Sequence, residues 1–338
     1  MYRRFRPLLF RLDPERAHAW TLGALQFVQA LPPLQAFLRR YYVSQARPVL
    51  VFGLEFSNPV GLAAGYDKDG LVWRGLACLG FGHIEIGTVT PLRQTGNPKP
   101  RLFRLPEDQG LINRMGFPGV GAEAVLLNLK KPRPPGLVIG VNLGKNKDTP
   151  LESAAQDYLV LLKKFALLAD YLTINVSSPN TVGLRRLQAR EALEGLLSAL
   201  QAERLRQQAA LGKRLPLLVK LSPDLSQAEL EDALQVIQAN GLDGVIAANT
   251  TLSRDGLRSG LASESGGLSG APLFLRSLAI VEQIKHLAGD RLPVIGVGGV
   301  SSAGQARAMM EAGASLVQVY SGLVYEGPGL VKKIIAGL

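Results

Sequence analysis

The chain has 338 residues, with 38 lysines and arginines against 27 aspartates and glutamates, for a formal charge of +11. Its 47% hydrophobic and 19% charged content is that of a folded enzyme and excludes a disordered chain. A single cysteine (Cys78) and three histidines (His18, His83, His286) leave no disulfide framework or CxxC metal site, argue against a histidine-built metal centre, and fit a reducing compartment.

Residues 1–47 hold eight arginines against Asp13 and Glu15, a net +6 in about a seventh of the chain. Such a surface attracts nucleic acid, anionic lipid or acidic metabolites, although an arginine-rich proteome would raise the charge everywhere. Asp13-Pro14-Glu15 is a helix start: an N-cap, proline at the first helical position and an acid at the positive end of the dipole. Apolar residues recur at Ala17, Trp20, Leu22, Leu25, Phe27 and Val28 until Leu31-Pro32-Pro33 breaks the helix. A second short helix over 34–42 carries Leu34, Phe37, Leu38 and Tyr41 on one side and Arg39-Arg40 at its end. Residues 17–38 carry no charge, but the prolines and Gln26, Gln29 and Gln35 cut the apolar stretch below the ~20 residues a membrane span needs. Asp13, Glu15 and Arg16 fall where a signal peptide's apolar core would lie. Two amphipathic helices of this composition suit a membrane interface, and equally a hairpin packed on the side of the next domain.

From residue 59 onward eight short β-branched runs alternate with helical patterns: 59–64, 83–89, 137–143, 171–176, 215–221, 244–249, 292–299 and 315–321. Continuous apolar strands alternating with helices are what a parallel sheet buried on both faces requires, and eight units close a (β/α)₈ TIM barrel. The expected organisation is an α/β fold with an N-terminal α-helical extension (1–47) and a barrel catalytic domain (48–338). Capping boxes at Thr149–Glu152, Ser226–Glu229 and Ser302–Gln305 mark helix starts.

The polar residues gather at the C-terminal ends of the strands, where such barrels place their active sites: Lys68, Thr88, Asn142, Asn175, Lys220, Asn249 and Ser321. Gly296-Val297-Gly298-Gly299 after strand seven and Tyr320-Ser321-Gly322 after strand eight stand where this fold commonly binds phosphate. No Gly-x-Gly-x-x-Gly opens an early strand–helix unit, which disfavours a Rossmann-bound dinucleotide. Asn175-Val176-Ser177-Ser178-Pro179-Asn180, Asn249-Thr250-Thr251 and, in a long loop, Asn113-Arg114-Met115-Gly116 add amides, hydroxyls and a cation. At one barrel mouth they make a site for a small, planar, polar, anionic ligand, with Lys68 and Lys220 as its cations. A buried lysine also suits a Schiff base, so a lyase or aldolase is the chemical rival at this point.

These residues resemble a family. Gly65-Tyr66-Asp67-Lys68-Asp69-Gly70, Ile86-Gly87-Thr88-Val89-Thr90-Pro91, Asn113-Arg114-Met115-Gly116-Phe117, Gly144-Lys145-Asn146-Lys147, the 175–180 motif and Gly296 to Gly299 are similar in order and type to dihydroorotate dehydrogenase, the flavin enzyme of pyrimidine synthesis. The resemblance begins at Asp13-Pro14-Glu15-Arg16-Ala17-His18 and runs to the last helix. Ser178 stands where soluble members carry a cysteine base, and with the N-terminal helices this resembles the quinone-reducing, membrane-associated class 2.

The resemblance implies oxidation of (S)-dihydroorotate to orotate, with one FMN per chain taking the hydride and a membrane quinone taking the electrons. It implies Ser178 as catalytic base, and Lys68, Asn113, Arg114, Met115, Gly116, Phe117, Asn175, Asn180, Asn249 and Thr250 around the substrate. Ala64, Gly65, Tyr66, Asp67, Lys68, Thr88, Asn142, Asn175, Lys220, Ala248, Gly270, Gly299, Tyr320 and Ser321 would surround FMN, with Gly298 beside the phosphate. Lys220 would lie at the flavin N1/O2 edge, which displaces the Schiff-base reading. His18, Arg104 and Tyr320 would line the quinone path; without the resemblance, His18 reads as a residue that caps or packs the first helix. Two residues depart from the pattern: Ala248, where threonine is common, removes a hydroxyl contact, and Tyr66 replaces leucine or phenylalanine. The implied location is the cytoplasmic face of the inner membrane, held peripherally by the first helices, with no nucleic-acid partner. An RNA-modifying flavin barrel of the dihydrouridine synthase kind would need a catalytic cysteine and a C-terminal helical domain. A non-redox phosphate-binding barrel would purify colourless.

Overall fold

The structure, a computed structural model, describes residues 2–338. Its strands in chain order are β1 (Val49–Val51), β2 (Leu54–Phe56), β3 (Val60–Leu62), β4 (His83–Val89), β5 (Leu102–Leu105), β6 (Gly110–Asn113), β7 (Val138–Leu143), β8 (Tyr171–Asn175), β9 (Leu217–Leu221), β10 (Gly244–Ala247), β11 (Gly267–Gly270), β12 (Val294–Val297) and β13 (Ala314–Val319). Eight of them, β3-β4-β7-β8-β9-β10-β12-β13, pair in parallel and close into a barrel. They are the eight runs expected from the sequence, β4 with the same bounds, β13 starting at Ala314, and the others trimmed at one or both ends. Nearly every barrel-strand residue is buried, because helices cover the outside while side chains fill the inside.

Five strands lie outside the barrel. The β1–β2 hairpin turns at Phe52 and Gly53, both at positive φ. Val51, Phe52 and Phe56 pack with the inward-facing Leu218, Ile246, Ile295 and Leu316 and stop the barrel's lower end. Antiparallel β5, β6 and β11 form a small sheet with Leu105, Ile112 and Leu268 as its core. Asn113 is thus the last residue of a strand rather than part of a long loop, and it pairs with Gly267.

The extension is three helices, not two: α1 (Tyr2–Arg11), α2 (Pro14–Ala30) and α3 (Pro32–Tyr42). Asp13 caps α2 by accepting from the Arg16 N–H at 3.0 Å. Tyr2 and Arg6 bond the carbonyls of Val324 and Tyr325 at 2.6 and 3.0 Å, Gln29 bonds Leu71 O at 2.7 Å, and Leu25 joins the barrel's outer core. A Cβ on Gly75 would stand 2.6 Å from Leu25 O, so this close approach of α2 needs glycine. Trp20, Phe27, Phe37 and Tyr41 remain exposed. Among the described residues no helix is long and apolar enough to cross a membrane.

Of the three capping boxes, Ser226 and Glu229 form theirs in full. Ser302 accepts from the Gln305 N–H, while Gln305 accepts from the Ser301 N–H one residue earlier. The box at Thr149 does not form. Its hydroxyl donates to Asp157 at 2.8 Å, and a 3₁₀ turn (Leu151–Ser153) without a side-chain cap precedes the helix Ala154–Phe165.

Candidate active site

A cavity of about 530 Å³ runs from α2 and α3 down to the barrel mouth, and its walls are mostly carbon. Leu22, Leu25, Val28, Leu38 and Tyr42 line the helical end, and Lys68, Ser178, Lys220 and Asn249 the mouth. Polar chemistry and an apolar channel are therefore parts of one space.

Strand ends position the mouth. Asn175 ends β8 and pairs in register with Lys220 of β9, so both lie at one level of the barrel. Ser178 follows three residues later, buried, with its Oγ accepting from the Asn180 N–H at 3.3 Å. Asn180 Nδ2 donates to Asn113 Oδ1 at 3.0 Å, joining the β8 loop to the sheet above the mouth. Asn249 donates to Ser177 Oγ at 3.0 Å, and its side-chain oxygen accepts from the Thr250 N–H at 2.8 Å. Arg185 fastens these loops together by donating to Ser177 O (3.2 Å), Thr250 O (3.0 Å) and Asp224 (2.9 Å).

The two lysines are buried cations. Lys68 donates to Gly65 O at 2.5 Å. Burial pushes its pKa down to about 8, against the pull of Asp69 and Glu15. Burial lowers the Lys220 pKa too, opposed by the charge of Glu85. His18 stands edge-on to Tyr66 with 4.9 Å between centroids. Burial, with the charge of Lys68, pushes its pKa down to about 4, so it is neutral at pH 7. Arg104 lies over the Phe10 ring and donates to Phe10 O and Leu12 O at 3.2 and 2.8 Å. Burial pushes the Tyr320 pKa up to about 12, which leaves its hydroxyl protonated.

Most residues singled out in the sequence reach this cavity. Besides those above, Ala64, Gly65, Tyr66, Thr88, Asn113, Met115, Gly116, Phe117, Ala248, Thr250, Gly270, Gly298, Gly299 and Ser321 line it. Three do not. Asp67 spends its carboxylate on the N–H groups of Leu71 and Val72, at 2.8 and 2.9 Å. Arg114 pairs with Glu264 at 2.6 Å and lies over Phe103. Asn142 sits beneath the lining, fully buried, between Glu85 and Thr88. Sequence reasoning missed Ser269, whose hydroxyl lies 2.9 Å from that of Ser321, and Gln318 of β13, both lining the cavity. It also missed the buried Glu85, hidden in the run His83-Ile84-Glu85-Ile86, where one acid among apolar residues gave no signal.

The family model for dihydroorotate dehydrogenase matches residues 48–338. The chain belongs to that family. It is 50% identical over 338 residues to a protein of Idiomarina loihiensis named dihydroorotate dehydrogenase (quinone), all of both chains being covered. It is 52% identical to the protein of that name from Acidithiobacillus ferrooxidans, covering 100% of this chain and 94% of the other. Its fold is similar to a crystal structure of DHODH from Eimeria tenella in complex with ferulenol, with a TM-score of 0.87 and 37% identity over 96% of this chain and 90% of that one. The ligand-free form from the same organism has a TM-score of 0.87 at 39% identity, covering 96% and 94%. The chain falls in the quinone-dependent branch of the dihydroorotate dehydrogenase family.

Proposed function

We propose that this chain oxidises dihydroorotate to orotate in pyrimidine biosynthesis, with FMN at the barrel mouth, a quinone as final acceptor, and the N-terminal helices resting on the membrane. The observation that carries the reading is the single cavity joining a polar mouth to an apolar channel. One end suits a small anion, the other a hydrophobic acceptor.

The mouth fits FMN. Gly298 and Gly299 take φ of +125° and +76°, and a Cβ on them would stand 2.1 Å from Ser277 Oγ and 2.6 Å from Phe274 Cβ. Both positions thus need glycine, and they line the cavity together with Ser269 and Ser321, a lining of backbone and hydroxyl groups suited to a phosphate. Gly270, Tyr320 and the Ala64–Gly65–Tyr66 backbone would complete the cofactor's surroundings, with Thr88, Asn175, Lys220 and the backbone of Ala248 along its ring. When bound, FMN supplies the hydride acceptor and the electron relay to quinone.

Lys68 attracts the substrate carboxylate, and Asn113, Asn180, Asn249 and Thr250 offer donors and acceptors to its ring amides. Ser178 takes the C5 proton. A serine hydroxyl is too weak an acid to be held as alkoxide at neutral pH, so Ser178 passes its own proton to water or a neighbouring hydroxyl as it accepts the one from C5, with alignment supplying much of the effect. Lys220 holds positive charge where negative charge grows during reduction. Met115, Gly116 and Phe117 close the mouth against water. Asp67 and Arg114 act by shaping the loops that carry Lys68 and Asn113. Neutral His18, Arg104 and Tyr320 offer polar contacts at the inner end of the apolar channel to a quinone carbonyl.

The membrane reading is supported by Phe5, Leu8, Trp20, Phe27, Phe37 and Tyr41, each more than half exposed, beside the arginines of the same helices. The test is the visible spectrum of the purified protein. Oxidised-flavin bands should bleach on adding dihydroorotate and return on adding quinone; a colourless protein that resists reconstitution with FMN would rule the reading out.

A further inference from the structure

Glu85 points into the barrel from β4 and is fully buried, yet none of its three hydrogen-bond partners is a cation. Asn142 Nδ2 donates to Oε1 at 2.7 Å, while Gln318 Nε2 and Tyr171 Oη donate to Oε2 at 2.9 and 3.2 Å. An ionised carboxylate only accepts, whereas a carboxamide offers an oxygen on one side and an NH₂ on the other. Any carboxamide touching Glu85 must therefore turn its NH₂ inward. Gln318 does so even though its own oxygen is left buried without a partner. For Asn142 the consequence travels outward.

With its NH₂ on Glu85, Asn142 presents its oxygen upward, where it accepts from Thr88 Oγ1 at 2.5 Å and Asn175 Nδ2 at 3.0 Å. Asn175 Nδ2 also donates to Thr88 Oγ1 at 3.0 Å. The Asn175 oxygen then faces the mouth and accepts from Ser177 and from Asn249 Nδ2, each at 3.3 Å. Every amide in the series donates toward Glu85 and accepts from the ligand side. The series crosses β4, β7 and β8 and ends in the loop after β10, at groups already assigned to the ligands.

We propose that Glu85 is a positioning residue that sets the direction of hydrogen bonding through Asn142 and Asn175 to Asn249, so that the mouth shows dihydroorotate and FMN one fixed pattern of donors and acceptors. The proposal rests on the reading of the mouth as the FMN and dihydroorotate site. Glu85 also sets its negative charge against the Lys220 ammonium. Neutralising it should make the site more positive and flavin reduction easier.

The test is Glu85→Gln in the full-length holoprotein, read by orotate titration of the flavin spectrum and by the flavin reduction potential. The new NH₂ must face either Asn142, whose amide then reverses, or the Tyr171–Gln318 pair, which then loses an acceptor. The expected result is orotate binding weaker by about tenfold or more, the scale of one buried polar group left unpaired. The potential should rise, opposite in sign to Lys220→Ala, which removes the cation. The double variant Glu85→Gln/Asn142→Asp places an acceptor-only group one step further up. It should recover most of the orotate affinity, because the carboxylate now at position 142 accepts from Thr88, from Asn175 and from the carboxamide at position 85 together.

Unchanged affinity and potential in Glu85→Gln, or a loss that the double variant does not repair, overturns the proposal. If Glu85→Gln does not fold, the double variant decides: near-native orotate affinity supports the proposal, and misfolding or weak binding overturns it. Wild-type protein that binds neither FMN nor orotate would instead overturn the reading of the site.

Discussion

Ser178 is buried at the cavity wall, and among the described residues its hydroxyl bonds only the Asn180 N–H, which leaves one oxygen lone pair for a bound ligand. Ser178→Ala should keep FMN and lower the rate of flavin bleaching by dihydroorotate at least ~10²-fold, the scale of a lost general base. Stopped-flow bleaching near the wild-type rate would remove Ser178 from the mechanism. Lys68 gives a second expectation. Its pKa of about 8 in the free protein means that raising the pH through that value discharges it. A bound carboxylate favours the charged form, so orotate affinity should be flat below about pH 8 and fall above it, approaching roughly tenfold per pH unit. Lys68→Met should bind weakly with no such slope; an unchanged slope would mean that another group carries it. Most residues that the motifs singled out line one cavity, because glycines, amides and lysines at strand ends have few structural duties there. Asp67, Arg114 and Asn142 show the limit. Their side chains are spent on backbone N–H groups, on Glu264 and on Glu85, partners far away in sequence or chosen by local turns, which residue type alone does not reveal.

At the scale of elements, the eight barrel strands were legible because burial on both faces writes them as unbroken apolar runs. The sheet of β5, β6 and β11 was not, since its strands are four residues long and two of them sit in stretches that read as loops. Helix α1 was hidden by Pro7 and by arginines at 3, 4 and 6, and its contacts with Val324, Tyr325 and Arg104 account for its place. These helices form one end of the cavity but carry none of the residues assigned to FMN or dihydroorotate. Protein lacking residues 1–47, kept in mild detergent because Leu25 leaves an apolar surface behind, should still bind FMN and be bleached by dihydroorotate. Its oxidation by a long-chain quinone should collapse, while a small water-soluble dye still accepts electrons. Equal rates with the long-chain quinone in both forms would reduce the extension to a structural cover. A smaller effect belongs to the complete capping box of the helix Gln227–Ala239: Ser226→Ala should cost about 1 kcal/mol in denaturant unfolding and leave turnover unchanged.

For the whole molecule, the charge of +11 is unevenly shared, and the basic N-terminal segment also bears the exposed aromatic residues. Arginine attraction to anionic lipid and burial of aromatic rings at the headgroup level act on the same helices, and only the first is screened by salt, within ~8 Å at physiological ionic strength. The two tryptophans separate these effects. Trp73 is sealed in the core at 1% exposure, whereas Trp20 on α2 is 68% exposed, so a change in emission on binding reports Trp20. Full-length protein mixed with vesicles containing anionic lipid should shift its emission to the blue at low salt and shift back as salt rises. Neutral vesicles should give a smaller change that salt leaves alone. Trp20→Phe should sediment with anionic vesicles nearly as well but lose the spectral shift. If wild-type emission stays unchanged on anionic vesicles at low salt, α2 does not enter the interface, and the quinone must reach the channel from some other side of the molecule.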